Sequence, residues 1–127
     1  MRTLLYLAVI SFSLLSCKKE NSGFIGKPEK TTEVQKPEDL GAEIFEGKGT
    51  CSACHHPDKK LVGPSVYEIA KIYKDKNGDM ISFLKGEAEP LVDPTQYEVM
   101  KVNLELTKTF SDEELKALEA YIYSDLK

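Results

Sequence analysis

The chain has 127 residues, enough for one small domain. Its 17 basic side chains are outnumbered by 21 acidic ones, giving a formal charge of −4 with histidines neutral. That balance argues against nucleic acid as a partner, because phosphate binding needs a basic face, and it removes attraction to anionic lipid as an anchoring device.

Residues 1–16 are unlike the remainder. One positive charge, Arg2, precedes an apolar run from Leu4 to Leu15, which Ser16 and Cys17 close. The run is well short of the ~20 residues that cross a bilayer core, so it predicts an export signal and not a spanning helix. Leu14-Leu15-Ser16-Cys17 resembles the lipobox of bacterial lipoproteins, in which the cysteine is lipidated and becomes the first residue of the mature protein. The resemblance implies a signal peptide over 1–16, lipid on Cys17 and a membrane attachment through acyl chains on the periplasmic side of the cell envelope. Residues 18–37 are rich in Lys, Glu, Thr, Gly and Pro, with almost no apolar periodicity. They predict a flexible tether with a root-mean-square span on the order of 25 Å, leading to a folded domain over 38–127.

In PEDLGAEIFEGKG, Pro37 suits the first helical position, acids crowd the first turn, and Leu40, Ile44 and Phe45 share a face. A second helix is predicted over about 65–73, where Ser65 and Glu68 have capping-box spacing and Val66, Ile69, Ala70 and Tyr73 recur at helical intervals. Asn77-Gly78 marks a turn, after which Asp79 caps a short helix through MISFLK that Gly86 closes. Between Gly86 and Ser111 only DPTQYEVM hints at a helical turn. Val102, Leu104 and Leu106 alternate as in a strand, with no second strand to pair with them. So long a loop in so small a domain is itself a functional signal. Ser111 and Glu114 form a second capping box, and Leu115, Leu118 and Ile122 line one side of the last helix. Short helices in a domain of this size have little core of their own, which is a structural reason to expect an apolar cofactor in the middle.

The chemistry concentrates in TCSACHHP. Cys51-Ser52-Ala53-Cys54-His55 has the spacing of a c-type haem attachment site. Two thiols three residues apart can add to the two vinyl groups along one porphyrin edge, and the histidine that follows is delivered beneath the ring. Export fits, because attachment takes place outside the cytoplasm in bacteria. Zinc would normally draw ligand pairs from two separate segments, and the adjacent His55 and His56 close a tetrahedron poorly. A thioredoxin-like dithiol belongs beside a βαβ unit, which the chain lacks. A disulfide across three residues closes a tiny loop and stabilises little. His56 is attached to the same short segment as His55 and cannot reach the opposite face of the ring, so it reads as an exposed neighbour. With two histidines in the chain, a sixth ligand comes from Met80, Met100, a tyrosine or a lysine, or the position stays open. Met80 stands with Phe83 and Leu84 in a helical apolar stripe and reads as core filler. Met100 stands in the stretch read as loop and is the expected ligand.

From residue 38 to 127 the chain resembles the class I cytochromes c. Gly41 and Phe45 match the family's pair where the N- and C-terminal helices cross, and Leu118 and Tyr121 match their partners on the last helix. Val62-Gly63-Pro64 matches the segment whose proline carbonyl accepts a hydrogen bond from the proximal histidine, so Pro64 would orient His55. Lys101 follows Met100 where the family often has proline. The resemblance implies a small all-α cytochrome c fold, with roughly three to five helices around one covalent haem c. It further implies attachment at Cys51 and Cys54 and iron ligation by His55 and Met100. The activity expected is single-electron transfer between a redox-protein donor and acceptor, with respiratory-chain components as natural partners and no small-molecule substrate or catalysis. Phe45, Val66, Ile69, Phe83 and Leu118 are the expected apolar surroundings of the haem, and Lys48, Lys59, Lys60 and Lys101 the candidates to ring its exposed edge. The competing readings are a five-coordinate haem that binds or senses a small gas and an electron-entry subunit of a larger redox enzyme.

Overall fold

A computed structural model describes residues 35–126. The predicted signal peptide, Cys17 and nearly all of the tether lie outside the described residues. Five α-helices make up the described part: α1 (Pro37–Glu46), α2 (Val66–Lys76), α3 (Met80–Leu84), α4 (Tyr97–Thr107) and α5 (Asp112–Ser124). Short 3-10 turns at Cys51–Ala53 and Pro94–Gln96 complete the regular structure, and no strand is present among the described residues, so the class is all-α as expected.

Local signals explain most of the helix ends. Pro37 opens α1, with Glu38 and Asp39 in its first turn. Ser65 Oγ accepts a hydrogen bond from the Glu68 amide at 3.1 Å and starts α2, while Asn77 in the left-handed region (φ 48°) ends it. Asp79 Oδ1 accepts from the Ser82 amide at 2.8 Å to cap α3. Gly86, at φ 73°, turns the chain away from it. The Ser111–Glu114 box closes in both directions, at 3.3 and 2.9 Å.

The frame of the domain is the crossing of α1 and α5. A Cβ on Gly41 would fall 2.0 Å from the Ala117 carbonyl oxygen and 2.6 Å from Tyr121 Cβ, so only glycine permits the two backbones to come this close. Beside that contact Phe45 and Tyr121 pack at 5.0 Å between ring centroids, tilted by 52°. Ile44, Leu115 and Leu118 are buried with them, and Val66, Ala70, Met80 and Leu84 extend the same core across α2 and α3. Gly41, Phe45 and Tyr121 therefore meet as expected, but the nearest partner of the glycine is Ala117. Leu118 instead turns toward the interior cleft.

The largest departure from the sequence reading lies between Gly86 and Ser111. Val102, Leu104 and Leu106 are not extended; they belong to α4, and Met100 is helical too. Leu104 and Thr107 are buried while Val102 and Leu106 are exposed. The inward face runs Met100, Asn103, Leu104, Thr107, at steps of three, one and three, which is a helical stripe. Thr107 Oγ1 donates to the Leu84 carbonyl at 2.5 Å and ties the end of α4 to α3.

Candidate functional site

An open cleft lies between these helices, and small-molecule and cofactor sites are concave, mostly apolar places of this kind. Phe45, Ile69, Phe83, Leu84, Leu91 and Leu118 give it apolar walls. Cys51, Cys54 and His55 line it together, and so do Pro64, Met80 and Met100. Of the expected apolar surroundings, Val66 alone does not reach the cleft; it is fully buried in the core behind the wall.

The local backbone explains how the thiols arrive there. The Gly49 amide donates to the Ile44 carbonyl at 2.8 Å, carrying the chain off the end of α1. Thr50 then takes a left-handed conformation (φ 52°) that starts the turn Cys51–Ala53. The Cys54 and His55 amides both donate to the Cys51 carbonyl, at 3.1 and 3.0 Å, so the motif forms one tight coil with both cysteines partly buried. Burial pushes the Cys51 thiol up to about 11, the dominant cause being desolvation. A dithiol built for exchange needs a depressed thiol, which burial of Cys51 opposes. Among the described residues no three His, Cys, Asp or Glu side chains converge on a common point as a structural zinc would require.

His55 is gripped from two sides. Its Nδ1 lies 2.8 Å from the Pro64 carbonyl oxygen. Because a carbonyl only accepts, Nδ1 carries the proton and Nε2 keeps the lone pair with which an imidazole binds a metal. Gly63 packs against the same ring. A Cβ there would fall 2.4 Å from Cε1, 2.8 Å from Nδ1 and 3.0 Å from Nε2, so any side chain would displace the imidazole. Two backbone bonds hold this loop in place, Gly63 N to Cys54 O at 3.0 Å and Leu61 N to Gly63 O at 3.1 Å. His56 has a separate role: its Nδ1 lies 2.7 Å from Asp58 Oδ1, and its carbonyl accepts from the Val66 amide at 3.0 Å at the start of α2.

Both candidate methionines line the cleft, and both are helical, so the contrast of loop against helix that favoured Met100 does not hold. Burial separates them instead. Met80 is 1% exposed and belongs to the packed core, whereas Met100 is partly exposed and lies outside that core. Several lining residues were not singled out from sequence. Gly63 stood unremarked inside the Val-Gly-Pro segment. Tyr97 and Asn103 lay in the stretch read as loop, where the spacing of Asn103 and Leu104 from Met100 was the available signal. Tyr73, Phe83 and Tyr97 form a run of tilted rings 6.3 Å apart along one wall.

The donor chemistry fits a haem: an imidazole nitrogen with a fixed lone pair, a thioether, and two thiols line one apolar cleft. The comparisons with known proteins agree. The profile of the cytochrome c family matches residues 38–124. Over 33 residues the chain is 52% identical to cytochrome c-551 of Pseudomonas denitrificans, a stretch that makes up 26% of this chain and 39% of that protein. With an apolar cleft walled by Cys51, Cys54 and His55, and with the family profile matching from the start of α1 to the end of α5, this chain belongs to the cytochrome c family, whose members bind covalently attached haem c.

Proposed function

We propose that the protein is a single-electron carrier held at a membrane surface. Cys51 and Cys54 would hold the haem through thioether bonds, and His55 and Met100 would ligate its iron. When bound, the haem supplies a one-electron couple between ferrous and ferric iron. The remaining work is done by the chain. The Pro64 carbonyl fixes the tautomer and orientation of the His55 imidazole, and Gly63 lets the ring stand where it does. Phe45, Ile69, Phe83 and Leu118 keep water away and disfavour the more highly charged ferric form, which raises the potential, as a neutral sulfur ligand also does. With a Met100 thioether as well as the His55 imidazole bound to it, the iron would offer oxygen no free position.

The observation that carries this reading is the convergence of Cys51, Cys54, His55 and Met100 on one apolar cleft from two distant parts of the chain. Met100 is preferred to Met80 because Met80 is committed to the core. In the envelope, a signal peptide over 1–16, a lipidated Cys17 and a tether to residue 37 present the domain 38–127 to redox-protein partners, respiratory-chain components being the natural class. No helix among the described residues is long and apolar enough to cross a membrane.

Met100→Ala tests the ligation. The mature protein should keep its covalent haem, lose the sulfur-to-iron charge-transfer band of the ferric state and shift to a lower potential. The same loss from Met80→Ala would move the ligand to Met80. Prompt, tight carbon monoxide binding to the reduced unmodified protein would favour the gas-binding reading. Cys17→Ser should release the protein into soluble extracts, and unchanged retention on membranes would remove the lipid anchor.

A further inference from the structure

The chain between α3 and α4 closes one side of the cleft with few backbone hydrogen bonds to hold it there. Gly86, at φ 73°, starts this segment, and Pro94 ends it at the 3-10 turn. Pro90, Leu91, Val92 and Asp93 line the cleft, yet among the described residues none from 88 to 92 makes a backbone-to-backbone hydrogen bond. Side chains fasten the segment instead. Leu91 seats beside Tyr73 in a notch that exists because residue 78 is glycine: a Cβ there would fall 2.3 Å from Leu91 Cδ1 and 2.8 Å from Tyr73 Cδ1. Lys76 Nζ, at the end of α2, donates to the Leu91 carbonyl at 3.1 Å.

The third fastening crosses to the other side of the cleft. Lys60, expected from sequence at the exposed edge of the cofactor, lies 3.6 Å from Asp93 Oδ2. It belongs to the loop that carries His55 and Pro64, and a backbone bridge pairs it with His55. Among the described residues no other ion pair joins this loop to the segment 87–96. Thr95 Oγ1 donates to Asp93 Oδ1 at 2.6 Å, which orients the carboxylate and is the main reason that it is held below the usual carboxyl range. The Asp93 side chain is 25% exposed. A carboxylate already fixed by a hydroxyl gives the long lysine a set target, so the pair loses less side-chain freedom on forming than two unrestrained surface charges do.

We propose that Lys60 and Asp93 are a positioning pair, a clasp that holds the segment 87–93 over the cleft and so sets how readily water and small neutral molecules reach the metal site. The proposal rests on the electron-carrier reading, which needs a dry surrounding for the iron. A wall with one apolar anchor and two side-chain ties opens by local motion, without unfolding of the domain. Loss of one tie raises the open fraction by about three- to fivefold, the upper end for an exposed pair.

Imidazole, a small ligand of ferric iron that is uncharged in mildly alkaline buffer, is the probe. To bind, it must pass this wall and take the position opposite His55; one iron–sulfur bond breaks, one iron–nitrogen bond forms, and no oxidation state changes. The rate is read by stopped-flow absorbance on the ferric mature holoprotein in mild detergent. Lys60→Gln and Asp93→Asn remove opposite charges, and each should accelerate binding by about three- to fivefold. The double variant should be no faster than either single one, because a clasp can be lost only once. Lys60→Arg, which keeps charge and reach, should bind at close to the unmodified rate. Lys59 has no carboxylate partner among the described residues, and Lys59→Gln should change the rate by less than about 1.5-fold. In the reduced, diamagnetic protein the NMR cross-peak between the Leu91 methyl and the Tyr73 ring should weaken in both single variants. Unchanged rates in Lys60→Gln and Asp93→Asn overturn the proposal. Opposite changes in the two overturn it in favour of a plain charge effect on the iron, and effects that multiply in the double variant overturn it in favour of two independent roles. Faster binding with the Leu91–Tyr73 cross-peak intact overturns it as well, since the segment has then not moved. A protein without haem, or with a five-coordinate spectrum before imidazole is added, fails the electron-carrier reading itself, and its spectrum reveals this before any rate is measured.

Discussion

The crossing of α1 and α5 and the helix α4 wall opposite parts of one cleft, but they are built differently. At the crossing, Gly41 lies against the Ala117 carbonyl, Phe45 stacks on Tyr121, and Ile44, Leu115 and Leu118 are buried around them. On α4 only Leu104 and Thr107, near the C-terminal end, are buried in protein. The half that carries Met100 and Asn103 lines the cleft together with Val99 and leaves Val102 exposed to solvent. The difference teaches that the polypeptide alone sets the first wall, whereas the second has few protein contacts on its inner face and depends on whatever fills the cleft.

Three substitutions can break or sharpen this contrast. Gly41→Ala should have the largest effect. A methyl placed 2.0 Å from a backbone oxygen cannot be relieved by a rotamer change, so the helices must separate. Denaturation of the holoprotein should show a loss of about 3 kcal/mol or more, above the usual range for overpacking; near-normal stability would mean that the crossing is looser than described. Leu104→Ala comes next, at about 2–4 kcal/mol for a buried leucine. Hydrogen exchange should locate the damage, with α4 amides losing protection well before those of α1 and α5. Equal loosening of both regions would erase the contrast. Thr107→Val should cost least, about 1–2 kcal/mol, because it leaves the buried Leu84 carbonyl without the hydroxyl donor that now lies 2.5 Å away. Its sharper readout is the charge-transfer band, which should weaken with heating at a lower temperature than in the unmodified protein if the tether at Thr107 steadies Met100.

Why α4 escaped a reading that caught the other four helices is a matter of what its faces carry. Elsewhere an apolar stripe points inward and a start signal stands ahead of it: Pro37 opens α1, and Ser65, Asp79 and Ser111 each accept from an amide three residues on. In α4 the inward stripe includes Asn103 and Thr107, the outward face includes Val102 and Leu106, and the cap position, Gln96, makes no side-chain cap bond. Hydrophobic periodicity presumes that apolar means inside. A helix that faces a cofactor cleft on one side and an exposed apolar patch on the other violates that assumption. The same inversion removes the ground on which Met100 was preferred from sequence, since its segment is a helix and no loop.

By itself the sequence determined the identity of the reactive groups and the local turns that present them. Cys51, Cys54 and His55 lie within five residues, and a coil that short is governed by its own backbone bonds. Tertiary structure decided what surrounds them: that Gly63 lies against the imidazole, that Ala117 is the neighbour of Gly41 at the crossing, and that Met100 shares a cleft with His55 from 45 positions away. Those contacts join segments whose spacing carries no periodic signal. They arise only when helices pack at ångström distances, where one Cβ or one buried hydroxyl decides which surfaces can meet.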